Sequence, residues 1–279
     1  MRGRLVSLLP ALIGCILAGC QPPAPTPAAN APATLRASLP PAPPQEQTKQ
    51  PNTFLLAVRL SLSAIEVPGG TVSSSEGIWS YLDEESVSMV RSGGVGRNGM
   101  RVARGRADAW PDITRIVKET CGRQFQMSTF MTPPGRAVPV ALKTGLEEQT
   151  IFLFRPDGTL HGEDYPPGDN IISFYCTLDE DDPSRVWIAG TPQIRTTRKG
   201  TRFVQSAGGL AMVDRPDYYT LSELTFRTVL AKNDFLVIGP GADSIKSTSV
   251  GHCFLMKQRD GLDFETLLIV KAEVLAAPS

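Results

Sequence analysis

Short runs of β-branched, aromatic and alternating apolar residues, each bounded by turn formers, limit the folds open to this chain. Such runs predict strands, and strands that follow one another through short turns predict antiparallel sheets. The first run ends at Pro68-Gly69-Gly70, and Pro156-Asp157-Gly158, Asn233-Asp234 and Asp260-Gly261 predict tight turns between neighbouring strands. The runs are 55–62, 151–154, 171–178, 186–188, 218–230, 235–238, 250–256 and 264–274.

Helix signals are few and lie early in the folded region. Residues 82–91 are acidic at the start and basic at the end, which suits the helix dipole. Pro111 begins a second helix, which places Ile113, Ile116 and Val117 on one face and stops at Gly122. We therefore expect an α+β fold, predominantly antiparallel β, with a few short helices in the N-terminal half of the folded region.

The two kinds of pattern divide the folded region into an α+β subregion, 53–145, and a mainly antiparallel β region, 146–275. The strand that begins at Leu55 could pair with the later sheet and make the two regions one domain. The sequence leaves this open.

Residues 1–19 have the parts of an export signal. Arg2 and Arg4 give a positive start, and the apolar run 5–18 that follows is 14 residues long. A helix that spans a membrane needs about 20 apolar residues, whereas the core of a signal peptide has about 7–15 and ends in small residues. The pattern predicts a signal peptide that is cleaved.

The run ends in Leu17-Ala18-Gly19-Cys20, which resembles the lipobox of bacterial lipoproteins. In that family the cysteine becomes a diacylglyceryl cysteine and carries two or three acyl chains, such as palmitate. The resemblance implies lipidation of Cys20 and export to a membrane-anchored position. Gln21, rather than aspartate, favours the outer membrane or cell surface over the inner membrane by the same resemblance. An ordinary secretory signal with an incidental Cys20 is the alternative.

The segment after the cysteine lacks the residues of a folded core. Residues 21–52 contain ten prolines, seven alanines, no glycine and no aromatic residue. Such a chain cannot bury enough apolar surface to offset its ordering entropy, and proline favours extended conformations. At about 3.1 Å per residue it would reach on the order of 100 Å. Residues 20–52 are therefore expected to be a lipidated cysteine and a disordered tether, or a passive spacer.

Charge is balanced overall but unevenly placed. The chain has 28 basic and 28 acidic residues, so its net charge gives no reason to expect nucleic acid or acidic lipid as a partner. Residues 91–123 carry eight Lys or Arg against three acids, whereas residues 157–182 carry eight acids and no Lys or Arg. This distribution indicates two oppositely charged faces, or paired docking surfaces.

Three cysteines remain after processing: Cys121, Cys176 and Cys253. The exported compartment is usually oxidising, so one disulfide with one cysteine left over is expected. Cys176 and Cys253 both lie in strand-like runs, which favours that pair. Three buried free thiols are the alternative.

Two motifs match known patterns only in part. Gly94-x-Gly96-x-x-Gly99 has the glycine spacing of dinucleotide-binding turns but leads into a strand, not a helix, so a flexible loop is expected. Lys143-Thr144-Gly145 matches one element of the penicillin-recognising enzymes, which also need a Ser-x-x-Lys that this chain lacks.

The two histidines and the densest acidic run give no convincing site. His161 follows a turn and is expected to be exposed; His252 precedes Cys253 in a predicted strand, so the two side chains would point to opposite faces. The acidic run 179–182 lacks the spacing of an EF-hand and predicts a solvated turn. We expect no catalytic residue, no cofactor and no metal ligand.

One stretch resembles part of a known family. Val186-x-Ile188, Pro192-x-Ile194, a long polar loop, a strand over 225–230 and the turn and strand 233–239 are similar to the C-terminal domain of secretins, the outer-membrane rings of secretion and pilus systems. Secretins usually have Asp-Gly where this chain has Asn233-Asp234. The resemblance covers 186–240 and implies a role in envelope assembly.

The sequence favours a membrane-tethered, non-catalytic lipoprotein that acts as an interaction or structural module of the cell envelope. Its expected partners are the membrane, through the lipid anchor, and an envelope protein or cell-wall component, with no nucleic acid. An accessory lipoprotein of a secretion or pilus apparatus and an exported enzyme of unrecognised type are the alternatives.

Overall fold

Antiparallel strands make up most of the described chain, which confirms the predicted fold class. The computed structural model describes residues 55–89, 94–120, 123–206 and 209–277. Cys20, Cys121, the signal peptide and the tether 20–52 lie outside the described residues.

Within these ranges the helices are short. They are α1 (Gly94–Arg97), α2 (Trp110–Glu119) and α3 (Val250–Leu255), with 3-10 turns at Trp79–Tyr81, Ala107–Ala109, Ser222–Leu224 and Ala242–Ile245. The strands are β1 (Leu55–Pro68), β2 (Ser88–Met89), β3 (Met100–Gly105), β4 (Arg123–Thr132), β5 (Ala137–Leu146), β6 (Gln149–Phe154), β7 (Leu160–Tyr165), β8 (Gly168–Leu178), β9 (Val186–Ser206), β10 (Gly209–Thr220), β11 (Phe226–Leu230), β12 (Phe235–Pro240), β13 (Met256–Arg259) and β14 (Leu262–Ala277).

The strands form two large sheets and one hairpin. Sheet A has the order β3-β12-β14-β1-β4, with β13 paired to β14; sheet B has the order β2-β11-β9-β8-β5, with β10 paired to β9; β6 and β7 form the hairpin. β1 pairs with β14 along its whole length and with β4 on its other side. Strands from 53–145 and 146–275 thus share both sheets, and residues 50–279 form one compact unit.

The central strands of sheet A, such as β12, are buried on both faces, which explains their apolar sequences. Leu236 and Ile238 of β12 belong to the larger core, between sheets A and B, whereas Phe235 and Val237 belong to the smaller core on the opposite face. Side chains of a strand alternate between faces, so a strand covered on both sides becomes a continuous apolar run. β12 is fully buried for this reason.

The smaller core is closed by α2 and by the segment that follows β1. α2 begins with Pro111 in its first turn and buries Ile113 and Val117, as predicted. Trp79 packs in the same core and donates from its indole nitrogen to the Val72 carbonyl at 3.0 Å. The Glu265 carboxylate, which is fully buried, accepts from the Val72 N–H at 2.6 Å and so fastens this segment to sheet A.

The secondary structure of two segments was predicted wrongly. Within 82–89 the structure has no helix: Asp83 forms a β-bridge with Arg104, and Ser88–Met89 is a strand. Residues 250–256 are mostly the helix α3, with Ser249 as N-cap, rather than a strand. Nearly every residue of α3 is buried, so it lacks the one-sided periodicity that identifies a helix in a sequence.

Of the two predicted hairpin connections, one is confirmed and one differs, and one predicted strand is divided. Asp260-Gly261 joins β13 to β14 as a hairpin with positive φ at both residues, as expected. Asn233-Asp234 turns the chain as predicted, but β11 lies in sheet B and β12 in sheet A, so these strands are not paired neighbours. The run 218–230 is likewise two strands, because a 3-10 turn at Ser222–Leu224 interrupts it.

Candidate functional site

β9 extends well beyond the body of sheet B. Its first part pairs with β8 as far as Thr196, and from Lys199 to Ser206 its described strand partner is β10 alone. We call residues 198–206 and 209–217 the arm. At about 3.3 Å per residue, its strands extend roughly 25 Å. The sequence predicted a long polar loop here, and the structure has a two-stranded hairpin instead.

One face of the arm is apolar and exposed. Met212 lies directly opposite Phe203, and Leu210 lies opposite Gln205, so all four side chains share one face. Phe203, Leu210 and Met212 are 72%, 76% and 69% exposed. Scattered apolar residues are normal on a protein surface, whereas these three are grouped on one face of a hairpin.

The base of the arm is held to sheet B by polar bonds. Arg195 donates to Asp169 through Nη2 at 2.6 Å and Nε at 3.1 Å. Burial opposes the ionisation of Asp169, but the bonds from Arg195 and from the Gly145 N–H outweigh it, so the pKa of Asp169 is lowered. Tyr219 packs edge-to-face on Tyr165, with ring centroids 5.5 Å apart. These contacts fix where the arm leaves the sheet.

The arm is also basic, although the whole chain is neutral. Its sequence holds four basic residues (Arg198, Lys199, Arg202 and Arg215) against Asp214 and Asp217. Of these, Arg198 and Arg215 have exposed side chains. The sequence held a signal for this hairpin, since the small, turn-forming residues Ala207-Gly208-Gly209 lie between the apolar residues Phe203-Val204 and the apolar run 210–213.

The two described cysteines are free thiols, not the favoured Cys176–Cys253 disulfide. Cys176 lies on β8 within the larger core, and burial raises the pKa of its thiol to about 12. Cys253 lies on α3, so the strand-to-strand geometry that favoured the pairing is absent. Burial raises the pKa of Cys253 too, although the Lys143 ammonium acts in the opposite direction.

His161 and the acidic run lie at the surface. His161 is exposed on β7, opposite Leu153. The run 179–182 forms the turn between β8 and β9, where Asp182 accepts from the Ser184 hydroxyl at 2.6 Å and pairs with Arg185 at 3.2 Å. Within the described ranges, no three His, Cys, Asp or Glu side chains are placed to hold a metal ion.

His252, Cys253 and Lys143 meet at the end of α3. Lys143 Nζ donates to the His252 carbonyl at 3.0 Å, and Asn170 Nδ2 donates to the Cys253 carbonyl at 2.8 Å. The last carbonyls of a helix lack partners within it, and Asn170 supplies one for the Cys253 carbonyl. The His252 carbonyl already accepts from the Met256 N–H, and Lys143 adds a second bond to it, so both side chains cap the end of α3. Burial lowers the pKa of Lys143 to about 8. The His252 ring makes its own contact, from Nδ1 to the Ser244 carbonyl at 3.0 Å.

The glycine motif is packed into the structure. Gly94–Arg97 forms α1, and Gly99 follows with φ of 77°. The Gly99 carbonyl accepts from the Gly241 N–H at 2.9 Å, and a Cβ added to Gly251 would lie 1.7 Å from the Gly99 oxygen. The expected flexible loop is therefore a helical turn whose glycines allow close backbone contact.

Among the described residues, no helix has the length and apolar character needed to cross a membrane. Comparison with known proteins identifies no relative: no family model, no curated protein and no solved structure matches this chain.

Proposed function

We propose that this protein is a membrane-tethered, non-catalytic lipoprotein of the cell envelope whose folded domain acts as an interaction module. The arm is the observation that carries the interaction role. It displays Phe203, Leu210 and Met212 on one exposed face, outside both cores. Leaving these side chains in water forgoes about 1–2 kcal/mol each of burial free energy, which a partner surface would recover.

The contacts of the polar clusters support a structural role for these side chains rather than a catalytic one. Lys143 and Asn170 cap α3, and the His252 ring contacts a backbone carbonyl. These three side chains are thereby engaged in holding the fold.

The membrane-tethered part of the proposal comes from the sequence around Cys20. Each buried methylene of an acyl chain stabilises attachment by about 0.8 kcal/mol, so two or three chains would hold the protein permanently. The proline-rich segment 21–52 would then leave the domain free to reach a surface up to roughly 100 Å away. The envelope partner would be a membrane, an envelope protein or a cell-wall component.

Radiolabelled palmitate tests the anchor in intact bacteria. We expect the parent protein to incorporate label and to sediment with membranes, and Cys20→Ser to lose both. Cys15→Ser is the matched control, because Cys15 lies inside the apolar run and should not affect labelling. A parent protein that incorporates no palmitate, or that keeps Met1 as its N-terminus, would overturn the anchor.

A photocrosslinking residue at position 203 tests the interaction role in the same cells. We expect envelope adducts from position 203 and far fewer from position 262, where Leu262 is 63% exposed in another hairpin. Equal yields at both positions would show that the arm is not the contact surface.

A further inference from the structure

We infer that the arm is a second membrane contact, which inserts its apolar face into the surface of an anionic lipid bilayer. This inference rests on the proposed lipid anchor and names the partner of the proposed interaction surface. It differs from the anchor because it assigns lipid binding to the folded domain itself.

The apolar side chains lie near the end of the arm, where a flat surface can reach them. The last described pair of the arm is Ser206–Gly209. Phe203 lies three positions before Ser206, and Leu210 lies one position after Gly209. Amphipathic elements at a membrane surface bury their apolar face about 5–10 Å deep. Phe203 and Met212 lie about 10 Å behind the last described pair, so the arm has to lie flat, with its apolar face towards the lipid, for that depth to cover Phe203, Leu210 and Met212.

The exposed cations are spaced to meet lipid headgroups. Arg215 is three residues from Met212, about 10 Å along the strand, and Arg198 is five residues from Phe203, about 17 Å. Arg215 pairs with Gly200 and so lies on the face opposite Met212 and Phe203. When the apolar face is inserted, Arg215 is on the water side of the arm, among the headgroups, and Arg198 lies within about a Debye length of them. The arm as a whole carries four basic and two acidic residues, so an anionic surface attracts it.

A second copy of the chain is a poorer occupant. Three partly exposed side chains on each copy would bury on the order of 800 Å² in total, below the roughly 1,200 Å² at the lower end of stable interfaces. A bilayer requires no complementary shape, and the proposed lipid anchor already holds the domain close to one. A tethered domain has an effective concentration of about 1 mM near its surface, so an association constant of about 10³ M⁻¹ gives half occupancy.

Quenching by brominated lipid tests the inference directly. The lipidated full-length Phe203→Trp protein is reconstituted into vesicles of phosphatidylethanolamine and phosphatidylglycerol whose acyl chains carry bromine. After subtraction of the parent emission, we expect the new indole to be blue-shifted and quenched. Leu262→Trp is the matched control, and its new indole should be neither blue-shifted nor quenched. Both variants should unfold at the parent temperature, because both positions are exposed.

Further variants and vesicle compositions separate the sources of a quenching signal. Adding Met212→Asp to Phe203→Trp should abolish quenching, and Arg198→Glu with Arg215→Glu should reduce it in anionic vesicles. Phosphatidylcholine vesicles should quench less than anionic ones.

Three outcomes would overturn the inference: an indole that brominated lipid leaves unquenched, equal quenching of both tryptophans, or a blue shift that depends on protein density and not on bromine, which indicates a second copy. Failure of the anchor is recognised separately, because the parent protein would then not float with the vesicles.

Discussion

Asn98 and Phe154 form a reciprocal pair: the Asn98 amide donates to the Phe154 carbonyl at 3.0 Å and accepts from the Phe154 N–H at 2.8 Å. Asn98 is 1% exposed, and its own carbonyl accepts from the Gly251 N–H at 2.8 Å. One side chain therefore connects the end of β6 to α1, while its main chain contacts α3. The glycine motif thus has a structural use that its spacing does not indicate.

Asn98→Ala should lower the free energy of unfolding by about 2–4 kcal/mol, because the Phe154 N–H and carbonyl lose their partner. Urea denaturation measures this change. Gln193→Ala is the matched control: its amide donates to the Thr220 hydroxyl at 3.2 Å at the surface, and its loss should cost less than about 0.5 kcal/mol. Equal losses in the two variants would contradict the role given to Asn98.

The glycines of the motif should differ in their tolerance of a side chain. Gly99 has φ of 77°, and a Cβ there would lie 2.8 Å from the Ser244 nitrogen, so Gly99→Ala should destabilise the protein by about 2–5 kcal/mol. Gly96 has no atom within 4 Å of its added Cβ, so Gly96→Ala should be neutral or stabilising by up to about 1 kcal/mol. Thermal unfolding of both variants checks the contrast, and a loss of stability in Gly96→Ala alone would refute it.

Stability should depend on Lys143 between pH 8 and pH 10.5. Burial lowers the pKa of Lys143 from 10.5 to about 8, with Lys257 acting in the same direction and Cys253 opposing it. In this range the unfolded chain binds more protons at this residue than the folded chain, so its contribution to stability rises with pH. The free energy of unfolding of the parent, minus that of Lys143→Met, should therefore increase from pH 8 to 10.5. A difference that stays flat or falls would mean that Lys143 is not buried as described.

The cysteines on β8 and α3 should react slowly in the native protein. Cys176 is 1% exposed and Cys253 is 9% exposed, and burial raises the pKa of both thiols. Only the thiolate reacts, so alkylation at pH 8 should be slow for both cysteines and faster at Cys253 than at Cys176. Denaturant without reductant should release both, as peptide mass spectrometry can show. A Cys176–Cys253 peptide joined by a disulfide would contradict the free thiols.

Local signals predicted the elements that depend on local chemistry. α2 follows from a proline in its first turn and from the spacing of Ile113 and Val117, and the β13–β14 hairpin follows from Asp260-Gly261. The predictions failed where contacts distant in sequence decide the conformation. Residues 82–89 have helical charge order, yet Asp83 bonds to the backbone of Arg104, about twenty residues away.

The candidate site was missed for a related reason. The notable property of the arm is that β9 continues beyond Thr196, where its pairing with β8 stops. An extended pair of strands with polar and basic residues is hard to distinguish from a loop by composition. The sequence shows three apolar residues in the arm, Phe203, Leu210 and Met212, but not their arrangement. The strand register places them on one face, and they are exposed because no described third strand covers that face. Exposure depends on what the rest of the chain covers, so no local pattern indicates it.

The sequence by itself determined the strand-rich fold class and the helix at Pro111, because these depend on backbone preferences and side chains within a few residues. Only the tertiary structure decided that β11 and β12 enter different sheets, that 250–255 is a helix rather than a strand, and that the arm presents its apolar face to solvent. Those outcomes depend on which distant segments compete for the same hydrogen bonds and the same core, and that competition is settled over the whole chain.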